Sequence, residues 1–224
     1  MATSYIQTSS QFIDRMNPNT NLECKADVCK IPHIEIQRGK SLLYYSQPGV
    51  ESEIFGLEIA YNTLNRGGNC ILVASSASPD IMKGRFKESG MNIELFEDRL
   101  IFVDAYSQLM GAPSLEKYIV QDPDNIYNFS KELMRSFKES PPSTIVFGSL
   151  STIMDLCGEK ETIEAVRIWN MMAKLCGHTL VYYFTAWPYS NEVMNCINKE
   201  LFNSVVCVDG MTERMALDQY CKDT

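Results

Sequence analysis

Histidine is almost missing from this 224-residue chain, which has only His33 and His178. With so few imidazoles a zinc site would fall to the eight cysteines, and these form no paired CxxC set, nor is there an HxxxH cluster. No metal is expected. Positive charge is also scarce, with 20 Lys and Arg against 28 Asp and Glu and a net charge of −8. A field of that sign repels phosphate backbones and anionic membrane surfaces, so neither nucleic acid nor a membrane is an expected partner. The densest basic cluster, Lys83, Arg85 and Lys87, is followed at once by Glu88 and reads as a solvated helix face. There is no apolar run of about 18 residues or more, and the opening MATSYIQTSSQF has neither a basic nor an apolar leader region. A cytoplasmic protein is expected. Internal repeats and low-complexity tracts are lacking too.

What is present is 45% hydrophobic residues, enough for one sizeable core. Apolar runs of strand length occur at Leu42–Ser46, Cys70–Ser75, Leu100–Asp104, Thr144–Gly148, Leu180–Thr185 and Val205–Asp209. Helical patterns lie between them at Ile54–Asn65, Pro79–Ser89, Asn125–Glu139, Thr162–Leu175 and Asn191–Asn203. Continuous apolar strands alternating with helices predict an α/β fold: three α/β/α layers around a mostly parallel, twisted sheet. Ser78 and Pro79 supply cap and first-turn chemistry, while Gly67, Gly68 and Gly177 supply helix stops. Residues 1–40 read as a polar arm with one short helix near 9–16, residues 41–212 as the domain, and 213–224 as a tail. The insertion Gln108–Pro123, with Gly111, Pro113 and Pro123, reads as a mobile loop with a short helix. Cys70, Cys176, Cys196 and Cys207 read as core, whereas Cys24 and Cys29 could pair or hold a metal.

The segment Ser46–Glu53, SQPGVESE, joins the first strand to the first helix, where a phosphate-binding loop would sit. Such a loop, GxxxxGK[ST], cradles phosphates with glycine N–H groups, a lysine and a Mg²⁺-binding hydroxyl. At that spacing Ser46 and Glu51 stand for the glycines, Ser52 for the lysine and Glu53 for the hydroxyl. Two like charges about 4 Å apart near a surface repel by roughly 4 kcal/mol. Micromolar binding amounts to only about 8 kcal/mol, so losing the lysine and gaining carboxylates offsets much of what a triphosphate would gain. Glu51 or Glu53 can instead satisfy the helix N-terminus. The plainer reading is a βα turn that never held phosphate.

The phrases RGKSLLYYSQPGVESEIFGLEIAYNTLNRGGNCILVASSASPDI, RLIFVDAYS, STIVFGSLSTIMD and FNSVVCVDGM, in this order, resemble the RecA-like ATPases of the KaiC type. That family includes the circadian clock ATPase and archaeal RadA-like relatives, and the resemblance covers about residues 36–212, with Gly49 and IFGLEIAY fixing the register of the first motif. It implies a RecA-like P-loop fold. It also implies that the family's catalytic carboxylate pair falls on Ser75 and Ser76, and that its Mg²⁺-holding Asp falls on Gly148, with Ser149 kept. A serine hydroxyl titrates far above neutrality and cannot act as general base, and phosphoryl transfer depends on cations and positioned groups. The resemblance with three altered motifs therefore implies a pseudo-ATPase with no catalytic residues and ATP with Mg²⁺ disfavoured as ligand, regulating, signalling or assembling through a protein partner or itself. Trp187 and Tyr189, after the fifth strand where relatives sense nucleotide or a neighbouring subunit, are the candidate interface.

Two other readings remain open: a residual nucleotide binder or slow ATPase using Lys40 or Lys83 as the cation, and a RadA-like accessory of DNA recombination. Asp104, Asp155 and Asp209 lie past strand ends, where open α/β sheets place ligands. Asp104 reads as a structural acceptor for loop N–H groups. Trp169 reads as core, and Tyr44 and Tyr45 as facing opposite sides of the sheet.

Overall fold

The computed structural model describes residues 38–48, 53–197 and 201–208. The expected arm with its helix near 9–16, Cys24 and Cys29, Gly49, Glu51, Ser52, Asp209 and the tail lie outside these residues.

Among the described residues seven parallel strands form one sheet: β1 (Ser41–Ser46), β2 (Asn69–Ala74), β3 (Leu100–Asp104), β4 (Tyr118–Ile119), β5 (Ser143–Phe147), β6 (Thr179–Thr185) and β7 (Ser204–Val208). Their spatial order is β4-β3-β2-β5-β6-β1-β7. Among the described residues six α-helices connect them: α1 (Glu53–Asn65), α2 (Pro79–Glu88), α3 (Ile126–Glu139), α4 (Leu150–Cys157), α5 (Glu159–Cys176) and α6 (Asn191–Cys196). Strand residues alternate in direction, and each direction meets helices. Leu42, Tyr44, Leu72 and Tyr183 pack under α1 and α2 with Phe55, Leu64 and Phe86. Leu43, Tyr45, Ile145 and Phe147 pack under α3 to α6 with Phe129, Leu133, Val166 and Val193. The three layers are those expected of a RecA-like fold. Tyr44 stacks on Tyr183 at 5.2 Å, and Tyr45 lies 5.8 Å from Phe184 on the other face.

The second layer is centred on Trp169, which is fully buried. Its ring stacks on Phe129 and Phe147, each at 5.5 Å, and Phe147 stacks on Tyr182 at 4.3 Å. Each such aromatic pair adds about 0.5–1.5 kcal/mol to the area it buries. The indole N–H is satisfied by Ser130 Oγ at 3.0 Å. On the opposite face α1 approaches the sheet through Gly56, where a Cβ would lie 2.9 Å from Cε2 of Tyr183.

Helix ends follow the chemistry of the sequence. Ser78 caps α2 by accepting from Ile81 N–H, with Pro79 opening the first turn. Gly177 closes α5 in the left-handed region at φ 74°. His178, next in the chain, is buried and neutral. Its Nδ1 accepts from Ser143 N–H at 3.0 Å and its Nε2 donates to the Phe137 carbonyl at 2.8 Å. Burial lowers its pKa below the ordinary value of 6.5.

Three expectations need correction. The insertion Gln108–Pro123 carries not only a 3-10 turn, Ser107–Met110, but also edge strand β4, whose Tyr118 is fully buried. Between Leu150 and Cys157 stands a helix, α4, for which no helical pattern was expected, and Asp155, past the end of β5, lies within it. The helix expected over Asn191–Asn203 does not reach Asn203, which lies just before β7 with its Oδ1 accepting from Ser41 N–H at 2.9 Å.

Candidate functional site at the carboxyl ends of the strands

In open α/β sheets ligands bind beyond the carboxyl ends of the strands, where the order of connection reverses. Here β1 and β2, although consecutive, are separated by β6 and β5. The ends of β1, β2, β5 and β6 thus frame the candidate site. Ser46 ends β1 fully buried, with its carbonyl accepting from Ala186 N–H at 2.9 Å. Glu53 is the first described residue of α1.

Ser75, Ser76, Gly148 and Ser149 are brought together. The Ser75 hydroxyl donates to the Ser149 carbonyl and accepts from the Ser149 N–H, both at 3.1 Å, which laces the end of β2 to the end of β5. Ser149 Oγ in turn caps α4 by accepting from Thr152 N–H at 3.1 Å. Gly148 lies tight in this junction. A Cβ there would stand 3.2 Å from both Ser76 Oγ and the Val73 carbonyl oxygen and 3.6 Å from Ser75 Oγ. An aspartate at 148 would therefore have to displace its neighbours. Beside it a cavity of about 20 Å³, lined by Ser76, Gly148 and Arg85 among others, has room for little more than one water molecule.

A second lace joins α4 to β6 and was not legible beforehand. The Ser151 hydroxyl donates to the Thr185 carbonyl at 3.1 Å and accepts from Thr185 N–H at 2.8 Å. The signal available in the sequence was only a serine two residues after Ser149. Further along, Tyr189 packs on Phe184 at 5.3 Å, and its hydroxyl donates to Asp155 Oδ1 at 3.2 Å. Burial pushes the phenol pKa up, and the nearby Asp155 carboxylate adds to it. Tyr189 is thus tied into its own subunit, while Trp187 stands out with 47% of its surface exposed.

The acidic and basic candidates are elsewhere. Asp104 is buried at the end of β3, and its Oδ1 accepts from Tyr106 N–H at 3.0 Å and Ser107 N–H at 2.9 Å. Burial alone would raise its pKa, but the hydrogen bonds, those of Ser107 foremost, outweigh it and lower the value. It holds the start of the insertion, as expected of a structural acceptor. Lys40 precedes β1 and so lies at the opposite end of the sheet from the candidate site. Lys83 pairs with Glu116 at 2.7 Å and lies over the Phe102 ring. Lys83, Arg85 and Lys87 are all exposed, as a solvated helix face requires, and with Lys40 at the far end and Lys83 paired to Glu116, neither lysine is placed to replace the cation of a phosphate loop.

The described groups at the strand ends are chiefly hydroxyls bonded to backbone, and the described residues contain no group of three or more His, Cys, Asp or Glu placed to hold an ion. No helix among the described residues is long and apolar enough to cross a membrane.

Comparison with known proteins agrees with this architecture. A family described as "ATPase: KaiC" matches residues 30–184. A UPF0273 protein of Pyrobaculum aerophilum is 29% identical over 109 residues, 47% of this chain and 39% of that protein. A UPF0273 protein of Thermotoga maritima is 28% identical over 127 residues, 55% of this chain and 52% of that protein. The chain thus spans about half or less of the curated relatives it matches. Among solved structures, a KaiC-like protein of Pyrococcus horikoshii OT3 superposes with a TM-score of 0.56 at 16% identity, over 76% of this chain and 71% of that one, a likeness of fold. With the family match extending over most of its length, the chain belongs to the KaiC family of ATPases and carries a RecA-like domain.

Proposed function

We propose that this KaiC-family chain is a pseudo-ATPase that works through protein contacts, as a regulatory, signalling or assembly subunit, with another protein or a second copy of itself as partner. The observation that carries the reading is the junction at Gly148. The strand ends that would have to present carboxylates to Mg²⁺ and water are closed by the two-way Ser75–Ser149 bond, and a side chain at 148 would press on Ser76 and Val73. The sequence adds Ser52 and Glu53 at the positions of the phosphate-loop lysine and hydroxyl. On this reading the chain uses no metal or nucleotide cofactor and no nucleic acid, and the exposed Trp187 indole anchors the partner.

The test is a calorimetric titration with ATP and Mg²⁺, alongside phosphate release, on the unmodified chain and on a Ser52→Lys, Glu53→Thr double variant. Binding by the variant alone, with no phosphate release from the unmodified chain, is the expected outcome. Nucleotide turnover by the unmodified chain overturns the proposal. Tight binding without turnover would show instead that the site keeps nucleotide as a structural ligand.

A further inference from the structure

At the amino ends of β1, β6 and β7, the opposite end of the sheet from the site above, lies a cavity of about 400 Å³. That is within the range of small-molecule sites, about 300–1,000 Å³. One wall is a single face of α5: Arg167, Asn170, Met171 and Lys174 recur at intervals of three and four residues. The other wall is the approach to β7, with Leu201, Phe202 and Asn203, and Lys40 joins from the turn before β1. Gly39, at φ 75°, lets that turn press against α5, where its Cβ would stand 3.4 Å from Cγ of Lys174. The turn therefore brings Lys40 beside the end of α5 that carries Lys174.

The formal charge on the described lining of this cavity has one sign. Asn170 is engaged on both sides of its amide, Nδ2 donating to the Leu201 carbonyl at 2.6 Å and Oδ1 accepting from Tyr182 at 3.0 Å. The Ser41 hydroxyl donates to Asn203 Oδ1 and accepts from Asn203 N–H, both at 3.3 Å. Asn203 Oδ1 also takes the Ser41 N–H, so what Asn203 offers a ligand is its NH₂. Lys40 and Lys174 have no ion-pair partner among the described residues, and no Asp or Glu among those residues lines the cavity. Arg167, about 10 Å along the helix from Lys174, is engaged with Glu164 and Cys196 and closes the far end. The remaining lining is apolar. In a chain of net charge −8, a pocket whose described lining carries cations and no carboxylate is an exception that calls for an anion.

We propose that this cavity binds a small amphiphilic anion, its carboxylate or phosphate head between Lys40 and Lys174 with the Asn203 amide, and its apolar body along Met171 and Phe202. The proposal is independent of whether the opposite end of the sheet takes nucleotide. The probes are decanoate and decyl phosphate below their micelle concentrations, decanol as the uncharged counterpart and inorganic phosphate as the head alone, each titrated calorimetrically into the full chain. Decanoate or decyl phosphate should saturate at one per chain, and whichever binds tighter identifies the head. Decanol and inorganic phosphate should each bind at least about tenfold more weakly, since each keeps only half of the contacts. A Lys40→Gln, Lys174→Gln variant should lose binding by at least the same factor with its unfolding midpoint kept, because both side chains are exposed. Met171→Glu, which sets a carboxylate in the pocket, should abolish it. Failure of both charged probes to saturate, equal binding of decanol, or binding unchanged in both variants overturns the proposal.

Discussion

The two ends of the sheet differ in what holds them. At the carboxyl end the closures are neutral hydroxyls bonded both ways to backbone, Ser75 with Ser149 and Ser151 with Thr185. At the amino end the closure is a buried imidazole, His178, flanked by a turn that carries exposed cations. At the carboxyl end Ser75 and Ser151 have their hydroxyls committed to holding strands and helix together. The amino end keeps donors that are committed to nothing. Cations unpaired among the described residues and sharing one cavity say more about where a ligand can be recognised than the fold does.

That contrast can be broken most severely at His178. Truncation to Ala should orphan the Ser143 N–H and the Phe137 carbonyl and open a cavity, costing about 3 kcal/mol or more in urea unfolding. If the cost is under about 1 kcal/mol, the imidazole is not the clasp described. A pH series sharpens the point. The folded pKa of His178 lies below the unfolded value, so the unfolded chain takes up the proton first. Stability should therefore hold above pH 6.5 and fall as pH drops from there toward the lower folded pKa, and His178→Asn should flatten that slope.

At the carboxyl end, Gly148→Asp should cost about 1–3 kcal/mol through crowding against Val73 and Ser76. Combined with Ser76→Gly it should cost less than the sum of the two single changes, which a double-mutant cycle reads directly. Ser75→Ala removes both bonds to Ser149 and should cost about 1–2 kcal/mol by thermal or urea unfolding. The smallest effect belongs to the amino-end cations: Lys174→Gln should leave stability within about 0.5 kcal/mol. A loss much above that would mean the lysine is part of the scaffold and not available to a ligand.

Much of the fold is legible in the sequence because buried parallel strands are continuous apolar runs. LIFVD is bounded by Arg99 and the turn at Ala105, and its strand is read to the residue. Two elements escape. β4 has only two residues, too few to show any period, and its burial depends on Tyr118 packing at the edge beside β3. α4 is short, and its LSTIMDLC follows a strand so closely that its apolar residues merge with the preceding run. The first turn of α5, EKE, shows no apolar periodicity and owes its helix to position after Gly158. Of the candidate site, residue identities are legible, but the reciprocal use of each hydroxyl is not. A serine reads alike whether it faces water or ties two strands, and only the juxtaposition of residues 74 positions apart distinguishes them.

The placement of β1 between β6 and β7 bears on how the molecule is made. Ser41 donates its N–H to Asn203, 162 residues downstream, and β1 has no sheet neighbour nearer in sequence than β6. During synthesis β2 can pair with β3 and then β5, while β1 waits as an apolar ribbon until almost the whole domain has emerged. Assembly dominated by such distant pairing is slow and leaves sticky intermediates. Fragments ending before Thr179 should accordingly precipitate where the full chain remains in solution.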